Sequence, residues 1–265
     1  MSYRFLKGHG TENDFVVLPD PDGSVHGDAA GEIAADRVRA LCDRRAGIGG
    51  DGVLRAVRRD GGWFMDYRNS DGSVSEMCGN GIRVFARYLH EHEGEPFPME
   101  VRTRDGIKVL DRSGEDYTAD MGTPEVLGET SVSVMGHTWP AQHVSMGNPH
   151  AVAFVDSLAA PGPLLEEPEH DDAIFPEGVN VEFVVRRGEH HVAMRVHERG
   201  SGETRSCGTG ACAVAVATAL ADGAPRGTSY RVDVPGGTLH VVWTEDDRVL
   251  LTGPAVLVAE GETDL

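Results

Sequence analysis

Apolar positions along this chain recur mostly at every second residue, in short runs, with a few stretches that switch to the helical period. Residues 3–18 alternate and read as strand, turn, strand. Gly31 to Cys42 places Ile33, Ala34, Val38, Leu41 and Cys42 on one helical side. Val53–Val57 and Trp63–Arg68 read as strands, Gly81–Glu91 as a helix, and Met99–Val101, Ile107–Leu110 and Tyr117–Asp120 as short strands. After Pro124 the pattern begins again, with strands at Ser131–Val134, His143–Ser145 and Ala151–Phe154, then a proline-rich loop from Ser157 to Asp172. Asn180–Arg186 and His191–Val196 read as paired strands around Gly188. An apolar helix over Ala211–Leu220 follows, then strands at Tyr230–Val234, Leu239–Trp243 and Leu250–Thr252. That helix is expected to be buried on all sides. A sheet curled around a helix, twice over, fits the pattern.

The repetition extends to residue identities. Met65 to Gly81 and Met194 to Gly210 align without a gap, so that Cys78 meets Cys207 at an offset of 129 residues. Cys78-Gly79-Asn80-Gly81 matches Cys207-Gly208-Thr209-Gly210, and each run opens an apolar helix.

Composition narrows the function. The formal net charge of −19 repels phosphate backbones, which argues against nucleic acid but not against a small anion at a local site. No run approaches the roughly 18 apolar residues of a membrane span, and Met1 to Phe5 lacks a signal-peptide core, so the expected location is cytoplasmic. Lysine occurs only at Lys7 and Lys108, neither in a setting for a pyridoxal Schiff base. Gly47-Ile48-Gly49-Gly50-Asp51-Gly52 lacks the Lys-Ser/Thr ending of a P-loop. Four cysteines without a Cys-x-x-Cys, in a chain of 265 residues, give no zinc spacing and no dithiol redox motif. His90, Glu91 and His92 diverge on a helix, and His190-His191 point to opposite faces of a strand.

Cys78 and Cys207 each precede a helix whose free N–H groups favour an anion and lower a thiol pKa. Two thiols in matching settings suit a reaction that removes a proton from one face of a carbon and returns one to the other. Cys42, at a helix end, and Cys212, inside the apolar helix, read as core packing. Further polar clusters stand out: His9-Gly10-Thr11-Glu12-Asn13-Asp14-Phe15, Gly147-Asn148-Pro149-His150, Gly178-Val179-Asn180 and Glu198-Arg199-Gly200.

Together with Gly47-Ile48-Gly49, Asp51-Gly52, Asn69-Ser70-Asp71-Gly72-Ser73 and Glu76-Met77-Cys78, these motifs resemble the diaminopimelate epimerase family, in its order and over nearly the whole chain. The resemblance implies an α+β (mixed α/β) fold of two pseudo-symmetric halves, each a mixed β-barrel curled around a central helix, with the active site in the cleft between them. The expected halves are residues 1–118, completed by 253–265, and residues 119–252. It implies interconversion of LL-2,6-diaminopimelate and the meso isomer, on the route to lysine and peptidoglycan, without pyridoxal or metal. It makes Cys78 and Cys207 the catalytic pair. Backbone N–H groups at Gly79, Asn80, Gly208 and Thr209 are then expected to bind the reacting carboxylate.

By the same resemblance Asn69, Asn148, Asn180 and Arg199 contact the distal amino-acid end, Glu198 accepts from an ammonium group, and Asn13 is another substrate contact. His150 is a supporting residue that orients its loop or tunes a thiol. A homodimer is the family expectation. The chain departs from the commonest pattern at Gly8, Thr11-Glu12 and Ala46, and at Gly52, where some members carry a glutamine substrate contact. It also has a short connection between Asp60 and Trp63. Two other readings are weighed beside this one: a cofactor-independent racemase of another amino acid, proline racemase-like, and a thiol redox protein.

Overall fold

The alternation at the start of the chain folds as β1 (Tyr3–Gly10) and β2 (Asn13–Pro19), joined by the two residues Thr11 and Glu12. Both connecting residues lie in the left-handed region, at φ 48° and 62°. That is the geometry of a two-residue hairpin turn, which normally selects Asn-Gly. Helix α1 (Ala35–Cys42), β3 (Gly52–Arg59), β4 (Gly62–Asn69), α2 (Gly79–Glu93), β5 (Met99–Thr103), β6 (Gly106–Ser113) and β7 (Asp116–Asp120) follow. Next come β8 (Glu125–Val134), β9 (His137–Ser145), β10 (Pro149–Phe154), β11 (Asn180–Gly188), β12 (His191–Glu198) and β13 (Gly202–Thr204). Helix α3 (Gly208–Asp222), β14 (Ser229–Val234), β15 (Gly237–Trp243), β16 (Val249–Pro254) and β17 (Val256–Thr263) complete the chain. The computed structural model describes residues 2–27 and 31–265.

The chain divides into two compact units, residues 1–119 with 253–265, and residues 120–252. In the first, the strands pair in the order β17, β1, β2, β3, β4, β5, β6, β7. In the second the order is β8, β9, β10, β11, β12, β14, β15, β16. The sense of each pairing also agrees: β2–β3 and β4–β5 are parallel, as are β10–β11 and β12–β14, and the others are antiparallel. The parallel joints are where a helix or long loop must intervene, because a tight hairpin cannot connect parallel strands. Helices α2 and α3 occupy the second of these joints in their units.

Each sheet wraps its helix. Helix α2 packs on β1, β2, β3, β4 and β17, and α3 on β9, β10, β11, β14 and β15. Ala211 to Ala219 of α3 are buried without exception. Both helices end in a left-handed glycine, Gly94 at φ 72° and Gly223 at φ 59°. The mixed α+β class and the sheet curled around a helix are thus observed. Each sheet is open rather than a closed barrel: among the described residues no pairing joins β17 to β7 or β8 to β16.

Element ends moved for physical reasons. Helix α1 starts only at Ala35, because Gly31 is left-handed and Ala34 is extended, although Ile33 is buried in the core. Helices α2 and α3 begin one residue after their cysteines, where glycine and polar residues hide the helical period. Strands β13 and β17 have no apolar alternation; β17 has no buried residue and is ordered by its antiparallel pairing with β1. Among the described residues, no helix is long and apolar enough to cross a membrane.

Candidate active site

Cys78 and Cys207 are the N-cap residues of α2 and α3. Both backbones are extended, with φ −143° and ψ 119° at Cys78 and φ −120° and ψ 117° at Cys207. Each sulfur accepts from the third helical N–H, Gly81 N at 3.3 Å and Gly210 N at 3.4 Å. The N–H groups of the first turn otherwise lack intrahelical partners. A cysteine in this position therefore places its sulfur at the positive end of the helix.

Around Cys78, Asn13 Oδ1 lies 3.7 Å from the sulfur and accepts from Asn80 Nδ2 at 3.2 Å. Asn13 Nδ2 donates to Asp51 at 2.7 Å. Asp51 is in turn paired with Arg44, which also holds Asp14 together with Lys7. Burial alone raises the Asp14 carboxyl, but Arg44 and Lys7 outweigh it and hold Asp14 well below the usual carboxylate range. Asn80 is buried and its Oδ1 accepts from Arg83, whose other nitrogen reaches Gly79 O. Asn69, at the end of β4, accepts from Tyr67 and donates to Ser73.

Around Cys207 the chemistry differs. The Thr209 hydroxyl is 3.5 Å from the sulfur and accepts from Asn148 Nδ2 at 3.4 Å. Asn148 Oδ1 is 3.0 Å from His150 Nε2, and His150 Nδ1 is 2.7 Å from Glu182 Oε1. Glu198 lies against Cys207 and takes a hydrogen bond from Thr204. Burial, then the charges of Glu198 and Glu182, push the Cys207 thiol well up; Thr209 and the Gly210 N–H oppose this. The helix-terminus argument expects a lowered thiol pKa, and at Cys207 loss of solvent overrides it. Burial also raises the carboxyls of Glu198 and Glu182.

Asn180 bridges two site segments, donating to Pro149 O and accepting from Arg199 N, each at 3.0 Å. Asn148 and Arg199 line a pocket of about 250 Å³ together with Gly147, Gly178 and Glu177. Arg199 is exposed there, within 3.9 Å of the Glu177 carboxylate. Of the expected distal set, the second unit thus gathers Asn148, Asn180 and Arg199. Glu198 is placed at the thiol, and Asn69 belongs to the first unit. Cys42 and Cys212 are buried in the core. Among the described residues, no group of three or more His, Cys, Asp or Glu is arranged to hold a metal.

Sequence reasoning missed Asp51 and Glu182 as members of the two clusters. Glu182 left a readable sign: it is the only charged residue in Val179-Asn180-Val181-Glu182-Phe183-Val184-Val185, a strand that is otherwise apolar after Asn180.

Solved structures share this architecture. A probable proline racemase from Agrobacterium radiobacter superposes with TM-score 0.70 at 16% identity, covering 99% of this chain and 93% of that one. A Bacillus anthracis phenazine biosynthesis protein of the PhzF family gives 0.70 at 15%, covering both chains completely. The fold is therefore the one shared by racemases, epimerases and PhzF proteins, here carrying a cysteine at the mouth of each central helix. Sequence makes the assignment finer. The family model for diaminopimelate epimerase matches residues 5–127 and 142–258. The diaminopimelate epimerase of Streptomyces coelicolor is 56% identical over 283 aligned positions, covering 98% of this chain and 95% of the relative. That of Thermobifida fusca is 48% identical, covering 99% and 98%. The chain belongs to the diaminopimelate epimerase family and is an isomerase.

Proposed function

We propose that this chain interconverts LL-2,6-diaminopimelate and the meso isomer by proton transfer at Cα between Cys78 and Cys207, with neither pyridoxal nor metal. The observation that carries the reading is the pair of thiols capping equivalent helices in the same backbone geometry. One sulfur, as thiolate, removes the Cα proton. The other, as thiol, gives its proton to the opposite face, and the two have then exchanged protonation states. Backbone N–H groups at Gly79, Asn80, Gly208 and Thr209 hold the carboxylate, so the charge that develops on it meets oriented donors. Asn13, Asn69, Asn148, Asn180 and Arg199 bind the rest of the substrate, Arg199 with a planar fork that suits the distal carboxylate. Glu198 lies against Cys207, which supports a role in taking that thiol's proton rather than in holding the distal ammonium. His150 supports the loop that carries Asn148. The product serves lysine and peptidoglycan precursor synthesis in the cytoplasm.

Cys78→Ala and Cys207→Ala are each expected to abolish turnover of reduced enzyme supplied with LL-diaminopimelate. Full turnover by either variant overturns the two-thiol assignment. The same reading takes the enzyme to be a homodimer, and exposed Val126, Leu127 and Val258 supply apolar surface for association. Light scattering at micromolar concentration should give twice the mass of 28.4 kDa.

A further inference from the structure

The pairing registers identify which residues underlie each cysteine loop. Leu54 pairs with Tyr67, and Glu182 with Val196, which is the repeat equivalent of Tyr67. Leu54 and Glu182 are therefore equivalent. Phe15 pairs with Gly52, two residues before Leu54, and His150 pairs with Asn180, two residues before Glu182. Phe15 and His150 are thus equivalent, and so are Asn13 and Asn148. A Cβ on Gly81 would meet Leu54 at 3.2 Å, and one on Gly210 would meet Glu182 Oε1 at 2.7 Å, so both side chains lie beneath the same helical turn. All four side chains are fully buried. The first unit fills this place with an apolar pair, Phe15 and Leu54. The second fills it with a polar pair that costs desolvation and leaves Glu182 Oε2 without a partner among the described residues. Packing alone does not require the polar pair.

The two asparagine amides face opposite ways. Asn13 Nδ2 is claimed by the Asp51 carboxylate, which only accepts, so its Oδ1 faces Asn80 and Cys78. Asn148 turns Oδ1 to His150 Nε2 and Nδ2 to Thr209. A carbonyl oxygen cannot donate, so Nε2 must carry hydrogen. Nδ1 and the Glu182 carboxyl then share one further proton, as acid and imidazole or as carboxylate and imidazolium. Without that proton, Nδ1–H would donate to the carboxylate and bare Nε2 would pull the amide over. Oδ1 would then face Thr209, and the sulfur would meet an acceptor instead of a donor. Burial raises the Glu182 carboxyl, in the direction of keeping the proton.

We propose that Glu182 is a positioning residue: with His150 it holds one proton that fixes the direction of a hydrogen-bond chain through Asn148 and Thr209, so that the chain ends as a donor on the Cys207 sulfur. Each link then donates toward Cys207: the pair to Asn148 Oδ1, Asn148 to the Thr209 hydroxyl, and that hydroxyl to sulfur. At Cys78 the equivalent amide presents an acceptor, which suits a thiol. The polarity distinguishes the two sulfurs, and its catalytic meaning rests on the two-thiol reading. The ionisable groups facing Cys207 are Glu198 from β12, Glu182 from β11 and His150 from β10, with His143 of β9 beyond His150. The Glu182 charge by itself raises the Cys207 thiol, so its removal alone would lower the midpoint, and a rise reports loss of the donor chain.

The test is the pH dependence of iodoacetamide alkylation, read by peptide mass spectrometry at Cys207 with Cys78 as internal reference. Glu182→Leu and Thr209→Val should each move the Cys207 midpoint up by about one pH unit and leave Cys78 in place. The double variant should shift no further, since one chain is broken in both. His150→Phe/Glu182→Leu, which reproduces the apolar pair of the first unit, should give the same rise in a folded protein. A downward or absent shift in Glu182→Leu, no shift in Thr209→Val, or additive shifts overturn the proposal. Failure of the two-thiol reading shows separately, as turnover in the cysteine variants.

Discussion

Arg199 shows how much a single side chain's chemistry is expected to contribute. Its guanidinium lines the pocket beside Asn148, donates to the Glu177 backbone carbonyl at 3.4 Å and lies 3.9 Å from the exposed Glu177 carboxylate. Lysine keeps the charge but loses the bidentate fork, so Arg199→Lys should raise KM about tenfold with little change in kcat. An unchanged KM in steady-state kinetics contradicts its carboxylate role. His26 carries a different kind of prediction. It is 4% exposed, and neither ring nitrogen has a partner among the described residues. Burial, aided by Arg37, lowers its pKa to about 4. The folded state therefore disfavours the proton that the unfolded chain accepts near pH 6.5. Stability should fall as pH drops from about 6.5 to about 4 and level off below, by up to about 1.4 kcal/mol per pH unit from this group. His26→Phe should flatten that part of the urea-midpoint profile; an unchanged profile counts against it. At this scale the sequence disclosed the two helix-capping cysteines, because glycine-flanked cysteines repeat. It did not connect Asp51 or Glu182 to the cysteines, because the links run through Asn13 and His150 on other strands. It also misjudged the Cys207 thiol, whose burial no local motif records.

At the scale of elements, the offset of 129 residues between the cysteines applies equally to β4 and β12, α2 and α3, and the two C-cap glycines. These were legible because strand alternation and helical period are local. Strand β17 was not, because an exposed strand owes its order to β1 rather than to its own pattern. The turn between β1 and β2 is a place where local preference is violated. Glu12 is exposed and left-handed, at φ 62°, where a two-residue turn favours glycine. Glu12→Gly should raise stability by about 0.5–1 kcal/mol in urea unfolding; a loss would show that the turn is fixed by contacts beyond its own backbone. Gly47 is the reverse case. A Cβ there would fall 2.0 Å from Ala40 O, so Gly47→Ala should cost about 2–3 kcal/mol. A neutral outcome would mean that the segment after α1 relaxes freely.

At the scale of the molecule, one folding plan is used twice and then made unequal. The order and sense of strand pairing agree between the units, yet the floor beneath one cysteine is Phe15 and Leu54, and beneath the other His150 and Glu182. Duplicated topology supplies two equivalent thiols, and local divergence gives each sulfur its own partners. The overall charge of −19 opposes carboxylates at long range, so the proposed function assigns the substrate's two carboxylates to local donors, the helix ends and Arg199. The proposed function requires that an amino-acid carbon be inverted with protons alone. Proton NMR of LL-diaminopimelate in deuterated buffer, with reduced enzyme and no added cofactor, tests it most directly. Loss of the α-proton signal together with growth of the meso isomer is the predicted result. Persistence of that signal with folded, reduced protein would contradict cofactor-free proton transfer.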